Sequence, residues 1–255
     1  MKYSANLLAA GMEGRCDPRL VPCFDRQIRA FIPGQRILVI QGKCPVSKDR
    51  KGNKHLGDVN LTTGEGLTDK CASVLAYRAL TAALPVNSFF LCNVRPECIL
   101  QDNRINCKPC DDAEMEGMIT LVKILTQFVK EVGGSVCYMN LGWKSTIKIG
   151  KNLIRRQIIP SKMVLSTGYH MCNLVAKNAA KQYEDQQYDV SMFVESLDTF
   201  LTDKFDLEKG CILRACIEHP KLRFVVEIDP RTETDASRAL RREAYLSHQR
   251  QCYQQ

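Results

Sequence analysis

A row of basic side chains between residues 144 and 156 is the part of this sequence best suited to contact phosphate groups. Four basic residues are spaced four, three and four positions apart, and a fifth follows directly: Lys144, Lys148, Lys151, Arg155 and Arg156. If Gly150 is tolerated within a helix, this spacing places the first four on one helix face. Such a row can follow a line of phosphate groups. The alternative is an exposed helix face without a binding role.

Four cysteines in the middle of the chain raise the question of a zinc site, since four thiolates can coordinate zinc tetrahedrally. They are Cys92, Cys98, Cys107 and Cys110. Cys107 and Cys110 have the spacing of a usual ligand pair. Five residues separate Cys92 from Cys98, however, and Cys92 lies inside an apolar run that is typical of a strand. The pattern therefore favours ordinary reduced cysteines over zinc, and we predict no metal centre.

The longest regular pattern begins at residue 111. Apolar residues recur every three or four positions from Met118 to Val129, which predicts a helix over residues 111–130. Acidic residues lie in its first turn, and two glycines, at 133 and 134, follow its end. The apolar run at residues 135–139 then predicts a buried strand, so that helix, turn and strand form one unit of a layered sheet.

Strands and helices also alternate before this unit. Residues 36–41 have the continuous apolar composition of a strand covered on both faces, residues 68–84 have helical spacing, and residues 87–94 are β-rich. The basic segment at residues 42–57 predicts a solvated loop, and residues 1–32 carry too many breakers to predict an element. We therefore predict an α/β, Rossmann-like fold. Its mostly parallel sheet has helices on both faces and binds ligands at the carboxyl ends of the strands.

The C-terminal third is less regular. Residues 163–165 and 170–175 predict either two strands or a strand and the start of a helix. Helical composition follows over residues 176–205, with a break near residue 188. An antiparallel hairpin over residues 211–229 and a polar helix over residues 231–255 complete the pattern. We predict an α/β domain over residues 1–186 and an extension over residues 187–255 packed on the same sheet.

Composition excludes several classes of protein. With 255 residues, 45% of them hydrophobic, the chain can bury a sizeable core. Its net charge is +8, and its longest stretch without a breaker contains lysine, so we predict neither a membrane span nor a secretion signal. The thirteen cysteines form no framework, which indicates a reducing compartment, the cytoplasm or the nucleus.

From residue 2 to about residue 176 the chain resembles the S-adenosylmethionine-dependent RNA ribose 2′-O-methyltransferases of the FtsJ-like type. The matching motifs are PGQRILVIQG and LGD, at the family's cofactor site; FFLCNVRP, at the strand with its catalytic aspartate; FVKEVGGSVCYM, at the strand with its catalytic lysine; and PSKMVLSTGYHMCNLV, near its last catalytic acid. The resemblance implies S-adenosylmethionine as cofactor, bound near Gly34, Gly42 and Asp58, and RNA as partner.

The catalytic positions implied by the resemblance carry other residues in this chain. Asn93 stands at the aspartate position, Met139 at the lysine position and Gly168 at the glutamate position. Methyl transfer to a ribose hydroxyl needs a lysine whose pKa is set by neighbouring carboxylates, and neither Asn nor Met can take that proton. Lys144 would replace the lysine only if the alignment is shifted. The resemblance therefore implies a degenerate catalytic site at Asn93 and Lys144.

A second resemblance, to galectins, rests on PGQRILVIQGKCP, DVNLTTG and FFLCN, with KGCILRACIEHPKLRFVVEID as a second copy. It would imply a β-sandwich that binds β-galactosides. Tyr77, Ala79 and Thr81 occupy the positions of that family's sugar-contacting His, Asn and Arg. The helical spacing of residues 111–130 argues against an all-β chain.

The sequence thus leads to one hypothesis and two alternatives. The hypothesis is a methyltransferase-like protein that binds RNA, with a degenerate catalytic site. The alternatives are a galectin-like carbohydrate-binding protein and a non-enzymatic scaffold for a protein partner.

Overall fold

The computed structural model describes residues 2–43, 46–48, 54–56, 84–85, 87–96, 100–101, 104–107, 109–141, 144–167 and 190–211. Leu84 and residues 190–211 belong to one compact unit, and the other described residues belong to another. The predicted domain boundary after residue 186 lies outside the described residues.

The larger unit is built on a four-stranded, all-parallel sheet. Its strands are β1 (Arg36–Gly42), β4 (Phe89–Asn93), β7 (Ser135–Leu141) and β8 (Val164–Thr167), in the spatial order β4-β1-β7-β8. If the four strands are numbered by their order along the chain, their spatial order is second, first, third, fourth. This is the arrangement of a doubly wound sheet. Residues 37–43 are all buried, so both faces of β1 are covered. The mixed α/β fold with a parallel sheet is confirmed.

Four helices of the larger unit pack together around this sheet, and at least two of them contact its strands directly. The four helices are α1 (Lys2–Met12), α2 (Val21–Ala30), α3 (Asp112–Glu131) and α4 (Lys144–Arg155). Helix α3 contacts α1, α2, α4 and β7, and α4 also contacts β7 and β8. The helix predicted over residues 68–84 falls outside the described residues, apart from Leu84.

Helix α3 forms where its sequence signals predict it. Asp111 accepts a hydrogen bond from the backbone of Glu114, and the Glu114 side chain accepts one from the backbone of Asp111, which completes a capping box. Gly133 exits the helix with φ +78°. A Cβ at Gly134 would lie 2.4 Å from the carbonyl oxygen of Gln35, so the turn into β7 requires glycine there. The predicted unit of helix, turn and strand is confirmed.

The N-terminal breakers lie mostly at helix boundaries. Pro18 begins the 3₁₀ helix Pro18–Leu20, and Pro22 stands in the first turn of α2, where proline is tolerated. Phe24 of α2 packs edge-on against Phe90 of β4, with ring centroids 4.8 Å apart. This contact joins the N-terminal helices to the sheet.

Two short hairpins were not predicted. Strand β2 (Val46–Lys48) pairs antiparallel with β3 (Lys54–Leu56), inside the segment that we expected to be a loop. Strand β5 (Leu100–Gln101) pairs antiparallel with β6 (Arg104–Cys107). The loop prediction for residues 42–57 is therefore wrong for these strands.

The smaller unit contains α5 (Val190–Phe205), which confirms the described part of the predicted helical stretch. Leu197 and Leu201 are buried, and Asp198 accepts a hydrogen bond of 2.9 Å from the backbone nitrogen of Gly210. Apart from Cys211, the predicted hairpin and the final helix lie outside the described residues.

The described helices and strands can be compared with a membrane-spanning protein and with a galectin-like β-sandwich. No helix in the described part of the chain has the length and apolar character needed to cross a bilayer. The parallel sheet and the 20-residue helix α3 also differ from the all-β sandwich that the galectin resemblance implies. The described residues therefore do not adopt that sandwich.

Candidate functional site

The carboxyl edge of the sheet is the first candidate site. Strands β1, β4 and β7 are parallel, so their carboxyl ends meet at one edge. The chain runs from β1 to β4 on one side and then crosses to β7 on the other. In doubly wound sheets ligands bind where the strand order reverses in this way. The edge between β1 and β7 is that position here.

Asn93 lies at the same carboxyl edge of the sheet, beside Gly42, but on the opposite side of β1 from β7. The two residues are register partners at the ends of β4 and β1. A Cβ at Gly42 would lie 2.3 Å from Oδ1 of Asn93, so any larger residue there would have to displace the Asn93 side chain. Asn93 is 7% exposed, and its Nδ2 has no hydrogen-bond partner among the described residues. A buried amide donor normally has an acceptor, and none of the described residues supplies one here.

An ion pair fixes the chain next to Asn93. Arg95, 3% exposed, donates hydrogen bonds of 2.5 Å from Nε and Nη2 to the carboxylate of Glu114. Its Nη2 also donates to the carbonyl oxygen of Pro109 at 2.8 Å. Because Glu114 also caps α3, one carboxylate joins the end of β4 to the start of that helix.

Cys110 lies in the same region but is poorly suited to act as a nucleophile. Burial raises the pKa of its thiol above the ordinary value, while a hydrogen bond with Ser145 and the charges of Arg95 and Lys43 oppose that rise. The protonated thiol therefore predominates at neutral pH, whereas the thiolate is the reactive nucleophile.

The buried side chain of Gln41 connects the ends of β1 and β4 through hydrogen bonds. Its Nε2 donates to the carbonyl oxygen of Gly42 at 3.0 Å, and its Oε1 accepts from the Cys92 thiol at 3.3 Å. Burial raises the pKa of both Cys92 and Tyr138 well above the ordinary values. These groups stay uncharged and support the register of the edge.

The remaining sites implied by the methyltransferase resemblance are dispersed. Gly34 lies before β1, with φ +80°, at the opposite edge of the sheet. Strand β1, from Arg36 to Gly42, lies between Gly34 and the carboxyl edge, and its six residue-to-residue steps alone span roughly 20 Å at about 3.3 Å each. Met139 is buried within β7, and Lys144 is the exposed first residue of α4. The structure therefore brings Gly42 and Asn93 together but not Gly34, while Asp58 and Gly168 lie outside the described residues.

The four cysteines considered for zinc do not form a described cluster. Cys92 points to Gln41, Cys110 is buried before α3, and Cys98 is outside the described residues. Within the described ranges, no three His, Cys, Asp or Glu residues come close enough to hold a metal ion.

The cationic face of α4 is the second candidate site, and it consists of Lys144, Lys148, Lys151 and Arg155. All four are exposed, whereas the opposite side of the helix buries Thr146, Ile149 and Leu153. Gly150 lies where α4 packs closely against β7. A Cβ at this position would lie 3.0 Å from Asn140 and 3.4 Å from Tyr138, so glycine allows this close packing within the helix. The predicted helix and its single basic face are confirmed.

An acidic row on α3 faces this cationic face across a groove. Lys148 Nζ lies 2.8 Å from Asp112 Oδ1, and Arg156 makes two hydrogen bonds, of 2.7 and 2.6 Å, to the carboxylate of Glu116. The hydrogen bonds from Arg156 lower the pKa of Glu116. The groove is lined by Asp112, Met115, Glu116, Ile119, Lys148, Lys151, Asn152 and Arg155.

Sequence reasoning missed both Arg95 and this acidic row. The sequence pattern gives Arg95 no role, although an arginine before Pro96 in an otherwise apolar region could have suggested a buried partner. The acidic residues at the beginning of α3 indicate only a helix start in the sequence, although the four-residue spacing of Asp112 and Glu116 matches the basic spacing on α4.

Comparison with protein-family models, with curated proteins and with solved structures finds no match to this chain.

Proposed function

We propose that this protein binds RNA through the cationic face of α4. The observation that carries the proposal is the arrangement of Lys144, Lys148, Lys151 and Arg155 as one exposed row on a regular helix. Ammonium and guanidinium groups in such a row neutralise successive phosphates and release their counterions. The net charge of +8 favours the same partner.

The position of this row supports the proposal. Helix α4 follows β7, so its first residue, Lys144, lies at the carboxyl edge of the sheet. An RNA that follows the row towards the N-terminus of α4 therefore approaches the edge where Asn93 and Gly42 meet. Phosphate is also favoured at a helix N-terminus by the exposed backbone N–H groups.

The test is a binding titration with short, labelled single-stranded RNA at about 50 and about 200 mM salt. Replacing Lys144, Lys151 and Arg155 with glutamine removes three cations and is expected to weaken binding about tenfold or more and flatten the salt dependence. The matched control replaces Lys2, Arg15 and Arg29, exposed cations of the N-terminal region, with glutamine. Equal losses in both triple variants, or binding that ignores salt, would contradict the proposal.

We further propose that the carboxyl edge takes an adenosine-type ligand, with S-adenosylmethionine as the first to test. The fit rests on Asn93, which lies at the end of the strand next to β1, where doubly wound proteins bind the ribose of a nucleotide. Its buried Nδ2 can donate to a ribose hydroxyl. S-adenosylmethionine would supply an activated methyl group there.

The same residues supply no base for methyl transfer. Asn93 is a neutral amide, and Met139 is 1% exposed inside β7, so neither can hold the proton of an RNA hydroxyl. We therefore propose binding without methyl transfer.

Calorimetric titration with S-adenosylmethionine tests the ligand proposal. Asn93→Ala is expected to weaken binding about tenfold, since it removes one buried hydrogen-bond donor. Asn6→Ala, an exposed asparagine on α1, serves as the control and should bind like the parent protein. If the parent protein gives no heat of binding, the edge does not take this ligand.

One observation favours a protein partner as a second candidate. Leu8 and Met12 lie one turn apart on α1 and are 58% and 88% exposed. Such a pair can form the centre of a small contact surface. It does not define the chemistry of a partner, and RNA binding ranks first.

A further inference from the structure

The acidic row of α3, Asp112 and Glu116, binds the cations that RNA would use. One oxygen of Asp112 lies 2.8 Å from Lys148 Nζ. The carboxylate of Glu116 accepts from both terminal nitrogens of Arg156, at 2.7 and 2.6 Å. A carboxylate held by an arginine in this bidentate way occupies the position that a phosphate would take.

The helix pairing between α3 and α4 does not depend on these ion pairs. Met115 and Ile119 lie on the same side of α3 as the acidic row and are 7% and 2% exposed. They supply the apolar contact at the floor of the groove. The side chains of Asp112 and Glu116, by contrast, are 83% and 51% exposed. Their main effect is therefore electrostatic.

We propose that Asp112 and Glu116 act as intramolecular competitors of RNA phosphate and so limit the affinity of the cationic face and of Arg156, which follows it directly. This inference rests on the proposed RNA binding. An RNA that reaches Lys148 or Arg156 must displace a carboxylate and must also approach its negative charge. Exposed ion pairs are weak enough for a polyanion to displace them.

The experiment compares the parent protein with the double variant Asp112→Asn, Glu116→Gln. Both changes keep the side-chain shape and remove only the charge. The control double variant, Glu13→Gln with Glu131→Gln, adds the same two units to the net charge of +8. Glu131 is fifteen residues along α3 from Glu116, roughly 22 Å at about 1.5 Å per residue.

Anisotropy titrations with short single-stranded RNA at about 50 and about 200 mM salt give the readout. The acidic-row variant is expected to bind about threefold to thirtyfold more tightly than the parent, as the loss of two weak competing ion pairs predicts. Its salt dependence should be steeper by about 1.4 in the log–log slope, since two more phosphates are neutralised on a single strand. The control should change affinity by less than about twofold.

Each outcome has a definite meaning. If the acidic-row variant binds RNA and the parent protein binds little, the proposal is supported, and the competition is strong enough to suppress RNA binding in the parent protein. Parent binding that neither double variant improves, or that both improve equally, overturns the competition and leaves RNA binding intact. If no form binds RNA, the proposed function itself fails and the competition fails with it. Circular dichroism melting of each variant establishes that the compared forms are folded.

Discussion

The guanidinium of Arg95 donates two hydrogen bonds of 2.5 Å to the carboxylate of Glu114. The pair connects the chain just after strand β4 to the first turn of α3, the longest described helix. Arg95 is 3% exposed, and the Glu114 side chain is 25% exposed. Arg95 is therefore a buried cation, and the carboxylate of Glu114 offsets the free-energy cost of burying its charge.

Replacing Glu114 with glutamine should destabilise the protein by about 3 to 5 kcal/mol, because the charge of Arg95 is then left buried without its carboxylate. Glutamine at this position keeps the capping box, so the loss reports the ion pair. Urea unfolding provides the measurement. Glu116→Gln, which breaks an exposed pair on the same helix, should cost less than about 1 kcal/mol. Similar small losses in both variants would contradict the importance of the buried pair.

The contact between Gly42 and Asn93 can be tested with a double-mutant cycle. Gly42→Ala places a methyl group 2.3 Å from the present position of Asn93 Oδ1, and overpacking of this kind should cost about 1 to 3 kcal/mol. Asn93→Ala removes the obstacle together with a buried donor that lacks a partner among the described residues. We expect the double variant to recover at least half of the loss, with a coupling energy of about 0.5 to 3 kcal/mol. Additive losses would show that another neighbour crowds Gly42.

Elements with local signals could be predicted from the sequence. Helix α3 has its cap at Asp111, its apolar stripe and its exit at Gly133 within one continuous stretch, and each signal depends on near neighbours. Strand β1 was predictable because a strand buried on both faces is apolar throughout. Helix α4 was predictable because its basic residues repeat with the helical period.

The arrangement of the candidate site was not predictable in the same way. Arg95 and Glu114 are nineteen residues apart, and Asp112 and Lys148 thirty-six apart, so only the fold brings them together. The resemblance grouped Gly34 with Gly42, although a strand lies between them. The hairpin of β2 and β3 was missed because the charges of residues 42–57 suggest a solvated loop, whereas strand pairing depends on backbone hydrogen bonds that charge does not reveal.

The cap of α3 gives a prediction with a conservative control. Asp111 accepts a hydrogen bond of 2.8 Å from the backbone nitrogen of Glu114. Asp111→Ala removes the acceptor and should lower the free energy of unfolding by about 1 kcal/mol. Asp111→Asn keeps an acceptor oxygen and should lose less than half as much. Urea unfolding of the three proteins distinguishes the two effects, and an equal loss in both variants would assign the role of Asp111 to its charge.

The pair of Glu116 and Arg156 predicts a pH dependence of defined sign. The hydrogen bonds from Arg156 lower the pKa of Glu116 below its ordinary value of 4.5, against a smaller opposing effect of desolvation. Because the folded-state pKa is the lower one, the pair's contribution to stability is present above the unfolded-state pKa and is lost as the pH falls through the folded-state pKa. Both side chains are more than one third exposed, so solvent screening keeps the contribution below about 1 kcal/mol.

The melting temperature of Glu116→Gln, followed from neutral to acidic pH, measures this contribution, since glutamine does not titrate. The parent protein should melt slightly above the variant at neutral pH, and the difference should shrink as the pH falls below about 4.5. High salt should shrink it as well, because exposed charges are screened. A difference that stays constant with pH would mean that Glu116 acts through packing and not through its charge. In that case its carboxylate would also be a poor competitor for RNA phosphate.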